Sequence, residues 1–376
     1  MRTNTDTNRV RRERPPDRQS TDLLIVGTLG GGGIHHYVDE LAERLSSDLS
    51  VSVYDMASDS TGSGPVWFVV SLLRSLWAAL RFPFQTPPDV VHVHTSHRFS
   101  FYRASFYVLF AAHIWRRPVI LHIHGSSFDE FVETNNVAVS WLQSVVFDAS
   151  DRIIVLSEYW RELLANRVPE AKLRVLPNAV DPDEYDPGFG DEPPNVVFVS
   201  NLIERKGVPE LIEAIEALGD RDVPFRATIA GKGPLSGAVE DLAARHENIT
   251  YRGYVSESEK RALLESGAVF VLPTHAEGLP IAMLEGMAGG NAIVSTTVGS
   301  IPEVIDERSG ILIEPGDVDG LTTALGELIG SPERAERMAR RNRELIKSEY
   351  SWDNATEQLE GMYADEHSTG AVRVEP

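Results

Sequence analysis

Val269-Phe270-Val271-Leu272-Pro273-Thr274-His275-Ala276-Glu277-Gly278-Leu279-Pro280-Ile281-Ala282-Met283-Leu284-Glu285 reads as an apolar run, a turn broken by glycine and proline, and the start of a helix. A short apolar run bounded by turn residues suits a strand buried on both faces. Pro280 suits the first turn of the following helix, where the N–H it lacks has no partner anyway. The free amides at residues 278–281 then stand at the carboxyl edge of a parallel sheet, where α/β folds bind anions. Glu277 lies in the loop and Glu285 more than a turn into the helix, so both carboxylates can flank one ligand. Acids beside an anion hole suit a phosphate that carries sugar hydroxyls. A nucleotide sugar is the ligand these residues predict.

Working outward, short apolar runs alternate with helix-period segments, the pattern of parallel sheets with crossover helices. Strands are expected at Leu23–Gly27, Val51–Asp55, Val90–His94, Val119–His124, Arg152–Leu156 and Leu173–Leu176. They resume at Val196–Ser200, Arg226–Ala230, Ile249–Gly253, Val269–Leu272 and Ala292–Ser295. Between the two sets, the acidic, proline-rich stretch from Asp181 to Gly188, running on to Pro193-Pro194, reads as a linker. At 376 residues the chain exceeds one ordinary core. The fold class expected is α/β: two Rossmann-like doubly wound domains, residues 21–185 and 186–349, facing across a cleft. Residues 1–20 read as a disordered polar tail.

The chain carries 56 acidic and 35 basic residues, a formal charge of −21, and only five lysines. Such a surface suits life in high salt and argues against binding nucleic acid, which needs a basic footprint. With no cysteine, disulfides, thiolate metal sites and cysteine nucleophiles are excluded. The polar N-terminus lacks the apolar core of a secretory signal, and no run of eighteen uncharged apolar residues occurs. A cytoplasmic protein is expected.

Several constellations compete for attention. Gly30-Gly31-Gly32-Gly33 follows the first strand and opens a helix, with Asp55 at the end of the second strand. A nicotinamide-dependent oxidoreductase would use both features, but the sixth position counted from Gly31 is His36, too large for the third glycine's place. His92-Val93-His94 and His122-Ile123-His124 alternate along strands, so each pair shares a face. No carboxylate lies at ligand spacing, so a metal is not expected, and hydrogen bonding within the sheet edge is the preferred role. His124 differs in standing at a strand's carboxyl end, where a neutral imidazole can hold a sugar hydroxyl. Asp181-x-Asp183, Asp220-x-Asp222 and Asp317-x-Asp319 match the metal-binding pair of other sugar transferases. None directly follows an apolar strand, and all three are discounted.

Arg205-Lys206-Gly207 precedes a helix, an end that normally repels cations. An anionic ligand such as a leaving diphosphate supplies the reason for placing them there. Gly231-Lys232-Gly233 ends another strand and suits close approach of a nucleotide base, or a plain turn. Finally, Val66–Phe84 and Tyr102–Trp115 are rich in large apolar residues with interspersed arginines. Burial against the first sheet is the preferred reading. A lipid-facing patch that admits a lipid-linked acceptor and peripheral membrane contact is the alternative.

Taken together, these landmarks resemble the family 4 glycosyltransferases, retaining enzymes of the GT-B fold, from about residue 21 to 364. The resemblance rests on the glycine run 30–33, Asp89-Val-Val-His92, His124-Gly125 and Leu176-Pro177-Asn178-Ala179-Val180-Asp181. It continues through Lys206-Gly207, Gly231-x-Gly233, the E-x7-E pair Glu277/Glu285, Pro302-Glu303-Val304 and Tyr350-Ser351-Trp352. It implies that Glu285 binds the nucleotide ribose, Glu277 the transferred sugar, and the Gly278 and Leu279 amides the diphosphate. It further implies that Lys206 stabilises the leaving phosphate and His124 lines the sugar pocket. Gly31, Gly32 and Gly33 would touch donor or acceptor, and a helix over 350–364 would return to the first domain. Where the family has Gly-Arg, this chain has Ser200-Asn201; Arg205 is the candidate substitute for the missing arginine. The resemblance implies front-face transfer to a hydroxyl on a glycan or lipid-linked acceptor, with no cofactor required. A catalytically inactive binding module on the same scaffold is prompted by Asn201 and opposed by Glu277, Glu285, Lys206 and His124.

Overall fold

The structure is a computed structural model and describes residues 20–29, 33–56, 65–190, 193–219 and 224–374. The tail, Gly30, Gly31, Gly32 and Asp220-x-Asp222 lie outside the described residues. The first half runs β1 (Thr21–Gly27), α1 (Gly33–Arg44), β2 (Leu49–Asp55), α2 (Pro65–Arg81), β3 (Val90–Thr95) and α3 (Phe99–Phe110). It continues with β4 (Val119–Ile123), α4 (Phe128–Val132), α5 (Val137–Ala149), β5 (Arg152–Val155), α6 (Glu158–Ala165) and β6 (Leu173–Val175). The second half runs β7 (Asn195–Val199), α7 (Val208–Gly219), β8 (Arg226–Ala230), α8 (Ser236–Arg245), β9 (Ile249–Tyr251), α9 (Glu257–Glu265) and β10 (Val269–Leu272). It ends with α10 (Ile281–Ala288), β11 (Ala292–Thr296), α11 (Ile301–Val304), β12 (Gly310–Ile313), α12 (Val318–Ile329), α13 (Pro332–Glu349) and α14 (Trp352–Val374).

The strands form two six-stranded sheets, ordered β2-β1-β3-β4-β5-β6 and β12-β11-β10-β7-β8-β9. Neighbouring strands within each sheet are parallel. Every strand anticipated from the sequence is present, with ends shifted by at most two residues. The exception by omission is β12, a short Gly-Ile-Leu-Ile edge strand. Its side chains are mostly half-buried, so it lacks the long apolar run of an interior strand.

Each sheet has one place where strand order reverses, and ligands of doubly wound folds bind at the carboxyl ends there. In the first sheet it falls between β1 and β3; in the second, between β7 and β10. The chain recrosses at the end: the Val180 amide donates to the Tyr350 carbonyl at 2.9 Å, and the Trp352 amide to the Val180 carbonyl at 3.3 Å. Trp352, Ala355, Leu359 and Tyr363 of α14 then pack with Leu23, Ile25, Val38 and Val90 in one buried cluster.

Two expectations need correction. His92, His94 and His122 are not at a sheet edge: β3 and β4 are interior strands and these three rings are fully buried, whereas His124 follows β4 and is half-buried. The apolar α2 is not buried either. Ser75 and Ala78 are buried, but Val69, Leu72, Leu73, Leu76, Trp77 and Leu80 face solvent, Trp77 at 63% exposure. Phe82, just beyond, is fully buried, whereas Phe84 is 87% exposed. By contrast α3 buries Phe101, Ala104, Tyr107 and Val108 as expected. Helical apolarity alone does not say what covers the helix.

Candidate active site

The residues flanking the second sheet's reversal point come from the loops after β7 and β10. After β7, Glu204–Lys206 make a single 3-10 turn that ends at Gly207, with φ of 71°. A Cβ at Gly207 would collide with the Pro273 backbone. Only glycine allows this close approach, which presses the two loops together. The His275 amide donates to the Arg205 carbonyl at 2.8 Å, and the Thr274 hydroxyl to the same carbonyl at 2.9 Å.

Side chains converge across that seam. The Lys206 ammonium donates to Glu277 Oε1, and both groups are largely buried. The Arg205 guanidinium donates to the Ala276 carbonyl at 2.5 Å and lies 3.9 Å from Glu277. His97, in the loop after β3, is held below the usual imidazole range by burial, then by the charges of Arg98 and Arg205. Arg205 thus stands near both loops while its side chain stays 38% exposed. The loop also carries a contact that sequence reasoning missed: His275 Nε2 lies 2.7 Å from Glu210.

Pro280 stands at the N-cap of α10, with extended backbone, rather than inside its first turn. The Ile281 and Ala282 amides have no intrahelical acceptor in such a position, while the Met283 amide donates to the Pro280 carbonyl at 3.1 Å. Gly278 packs against the first domain: a Cβ there would sit 3.0 Å from Leu156 Cδ1 and 3.1 Å from the Gly125 carbonyl. The Leu279 carbonyl accepts from Asn178 at 2.7 Å, while its side chain is buried. Nearby, Trp160 Nε1 donates to Ser300 Oγ at 2.9 Å. Glu303 accepts from the Glu158 and Tyr159 amides at 3.0 and 2.6 Å, capping α6 from the opposite sheet's side.

Glu277 and Glu285 do not share one hollow. Glu277 lines a cavity of about 860 Å³ with Asp129, Glu158, Glu162, His275 and Glu303. Glu285 lines a tighter cavity of about 70 Å³ with His36, Tyr37, Glu257 and Arg261. A ligand touching both carboxylates must lie along the start of α10. Burial raises the Glu285 pKa, and Lys260 at 2.6 Å opposes that rise. Lys260 also pairs with Glu257 at 2.6 Å. Lys260, Glu257 and His36 were missed from sequence, because a helix-borne lysine carries no signal until α9 is placed beside α10.

The other anticipated residues fall as follows. Gly33 opens α1, and its glycine neighbours lie outside the described residues. Gly231, at φ of 143°, and Gly233 have no room for a Cβ against the Ser200 and Leu202 backbones. Packing of the loops after β7 and β8 thus explains both glycines without a ligand. Asn201 is exposed after β7. His124 is half-buried, and its Nε2 is 2.9 Å from His94 Nδ1; burial pushes its pKa down to about 4. The Asp181 and Asp317 carboxylates cap the helical turns that follow them.

Two family models divide the chain: one described as "Glycosyltransferase Family 4" over residues 31–184, the other as "Glycosyl transferases group 1" over 193–331. The chain belongs to the family 4 glycosyltransferases. Among its relatives is a GDP-mannose-dependent alpha-(1-6)-phosphatidylinositol monomannoside mannosyltransferase of Mycolicibacterium smegmatis. It is 33% identical over 57% of this chain and 62% of that protein. The MMP alpha-(1->4)-mannosyltransferase of Mycolicibacterium hassiacum is 28% identical over 67% of this chain and 60% of its own length. Among solved structures, Anabaena HepE in complex with UDP-glucose superposes with a TM-score of 0.70 at 14% identity, over 92% of this chain and all of that one. Two doubly wound sheets across a cleft are the GT-B arrangement, and the chain is a glycosyltransferase. An oxidoreductase is not favoured.

Proposed function

We propose that this enzyme transfers a hexose, with retention, from a nucleoside-diphosphate sugar to a hydroxyl on a lipid-linked or cell-surface glycan. The observation that carries the reading is the meeting of Lys206, Arg205 and Glu277 at the reversal point between β7 and β10. The donor lies along the start of α10, its ribose at Glu285 and its sugar at Glu277. The α10 amides and Lys206 neutralise the departing diphosphate, and a preformed set of donors needs no metal for that task. Arg205 takes the place of the family arginine absent at Asn201. His124 lines the sugar pocket through its outer edge. With no protein nucleophile assigned, the departing phosphate oxygen takes the acceptor's proton on the front face.

Arg205→Ala tests the substitute. Losing one charged hydrogen bond of about 1.5–3 kcal/mol should raise the donor KM by roughly tenfold or more. Initial rates against donor concentration give the answer, and wild-type kinetics would mean the guanidinium never reaches the diphosphate.

The exposed apolar face of α2, bordered by the solvent-facing Arg74 and Arg81, supports a lipid-linked acceptor. None of the described helices is long and apolar enough to cross a membrane, so contact would be peripheral, at the inner face. The acidic, lysine-poor surface fits a high-salt cytoplasm. Replacing both Leu73 and Trp77 with serine should weaken binding to anionic phospholipid vesicles at least tenfold. Each buried side chain contributes about 1.5–3 kcal/mol. Equal co-sedimentation of variant and wild type would assign the patch to something other than lipid.

A further inference from the structure

His92 and His94 of β3, and His122 with the adjoining His124, form a stack of four imidazoles under α1 and α14. Ring centroids of His122 and His124 are 4.0 Å apart, His92 and His94 4.2 Å, and His94 and His122 5.1 Å. His92, His94 and His122 are fully buried. Two of the three have one nitrogen held: His92 Nδ1 meets the Tyr363 hydroxyl at 2.8 Å, and His94 Nδ1 meets His124 Nε2 at 2.9 Å.

What remains is the anomaly. His92 Nε2, His94 Nε2 and both nitrogens of His122 are buried with no hydrogen-bond partner. Leaving a buried polar atom unpaired costs about 1–3 kcal/mol each, so several in one place call for an explanation. These three histidines offer nitrogens that all lie within 4.8 Å of one another. Neutral imidazoles are borderline ligands for Zn²⁺ and its neighbours, and a ligating histidine normally has its second nitrogen fixed by a hydrogen bond. His92 and His94 already have that second contact.

We infer that His92, His94 and His122 bind a single transition-metal ion of the Zn²⁺ class inside the first domain, beneath His124 of the proposed sugar pocket and joined to it by the His94–His124 hydrogen bond. Its work is structural. Tyr363 belongs to α14, so an ion that orders His92 also ties the returning helix to the sheet. The donor residues Lys206, Arg205 and Glu277 take no part in this set.

The test uses the full chain without an affinity tag, stripped by chelator and checked by circular dichroism. Titration with Co²⁺ should give visible ligand-field bands saturating at one ion per chain. Zn²⁺ should displace it and raise Tm by about 5 °C or more. His122→Gln should abolish the bands and the Tm rise, while His113→Gln, at an exposed position, leaves both intact. Tyr363→Phe keeps the three ligands and removes only the hydrogen bond to His92; it should weaken binding roughly tenfold. It also covers the case in which His122→Gln does not fold. Absence of stoichiometric uptake, an unmoved Tm, or wild-type binding by His122→Gln or Tyr363→Phe would overturn the inference and leave the rings as neutral core residues.

Discussion

Lys206→Ala is expected to cut the transfer rate by about 10²- to 10³-fold, the usual cost of removing one preorganised group from developing negative charge. The reasoning starts from burial. Lys206 is largely out of solvent, held by Glu277 at the mouth of the second sheet. In that position its ammonium acts at low effective dielectric, where charge interactions exceed their strength in water. Removing it also leaves Glu277 without its nearest partner, although Arg205 remains 3.9 Å away. Lys206→Arg keeps the charge and should recover part of the rate. Initial rates alongside Tm separate the two effects. A folded Lys206→Ala enzyme within threefold of wild type would remove the lysine from the mechanism.

Glu277→Gln makes the opposite prediction for binding. The carboxylate neutralises Lys206 in the donor-free enzyme, so it competes with an incoming diphosphate for that cation. Glutamine keeps the shape and removes the competition. Free nucleoside diphosphate should therefore bind more tightly to Glu277→Gln, while transfer falls by about 10²-fold because the sugar loses the group that orients it. Calorimetry with nucleoside diphosphate and rates with donor sugar check the two halves. Weaker diphosphate binding together with unchanged turnover would place Glu277 outside the sugar pocket.

Much of this was legible in the chain. Interior strands such as Val269–Leu272, and β7 from Val196 to Val199, are continuous apolar runs buried along their whole length, and such runs announce a parallel sheet. Glu277 was legible because an acid at a sheet edge is a local signal, whereas the crowding of Gly207 by the Pro273 backbone was not. What could not be read depends on contacts between distant segments. Lys260 becomes a partner of Glu285 only when α9 lies beside α10, and His36 approaches that pair only across the cleft. His92, His94 and His122 alternate like any half-polar strand, and only the sheet order shows that they are interior. The same holds for α2, whose apolar residues look like core until its neighbours leave them uncovered.

The central claim is that the donor's diphosphate rests at the start of α10 beside Lys206. A crystal structure with a bound nucleoside-diphosphate sugar measures it directly. The account predicts phosphate oxygens within hydrogen-bond reach of Lys206 Nζ and the α10 loop amides, with ribose at Glu285 and sugar at Glu277. A diphosphate seated on the turn after β1, with Lys206 still bound only to Glu277, would contradict it.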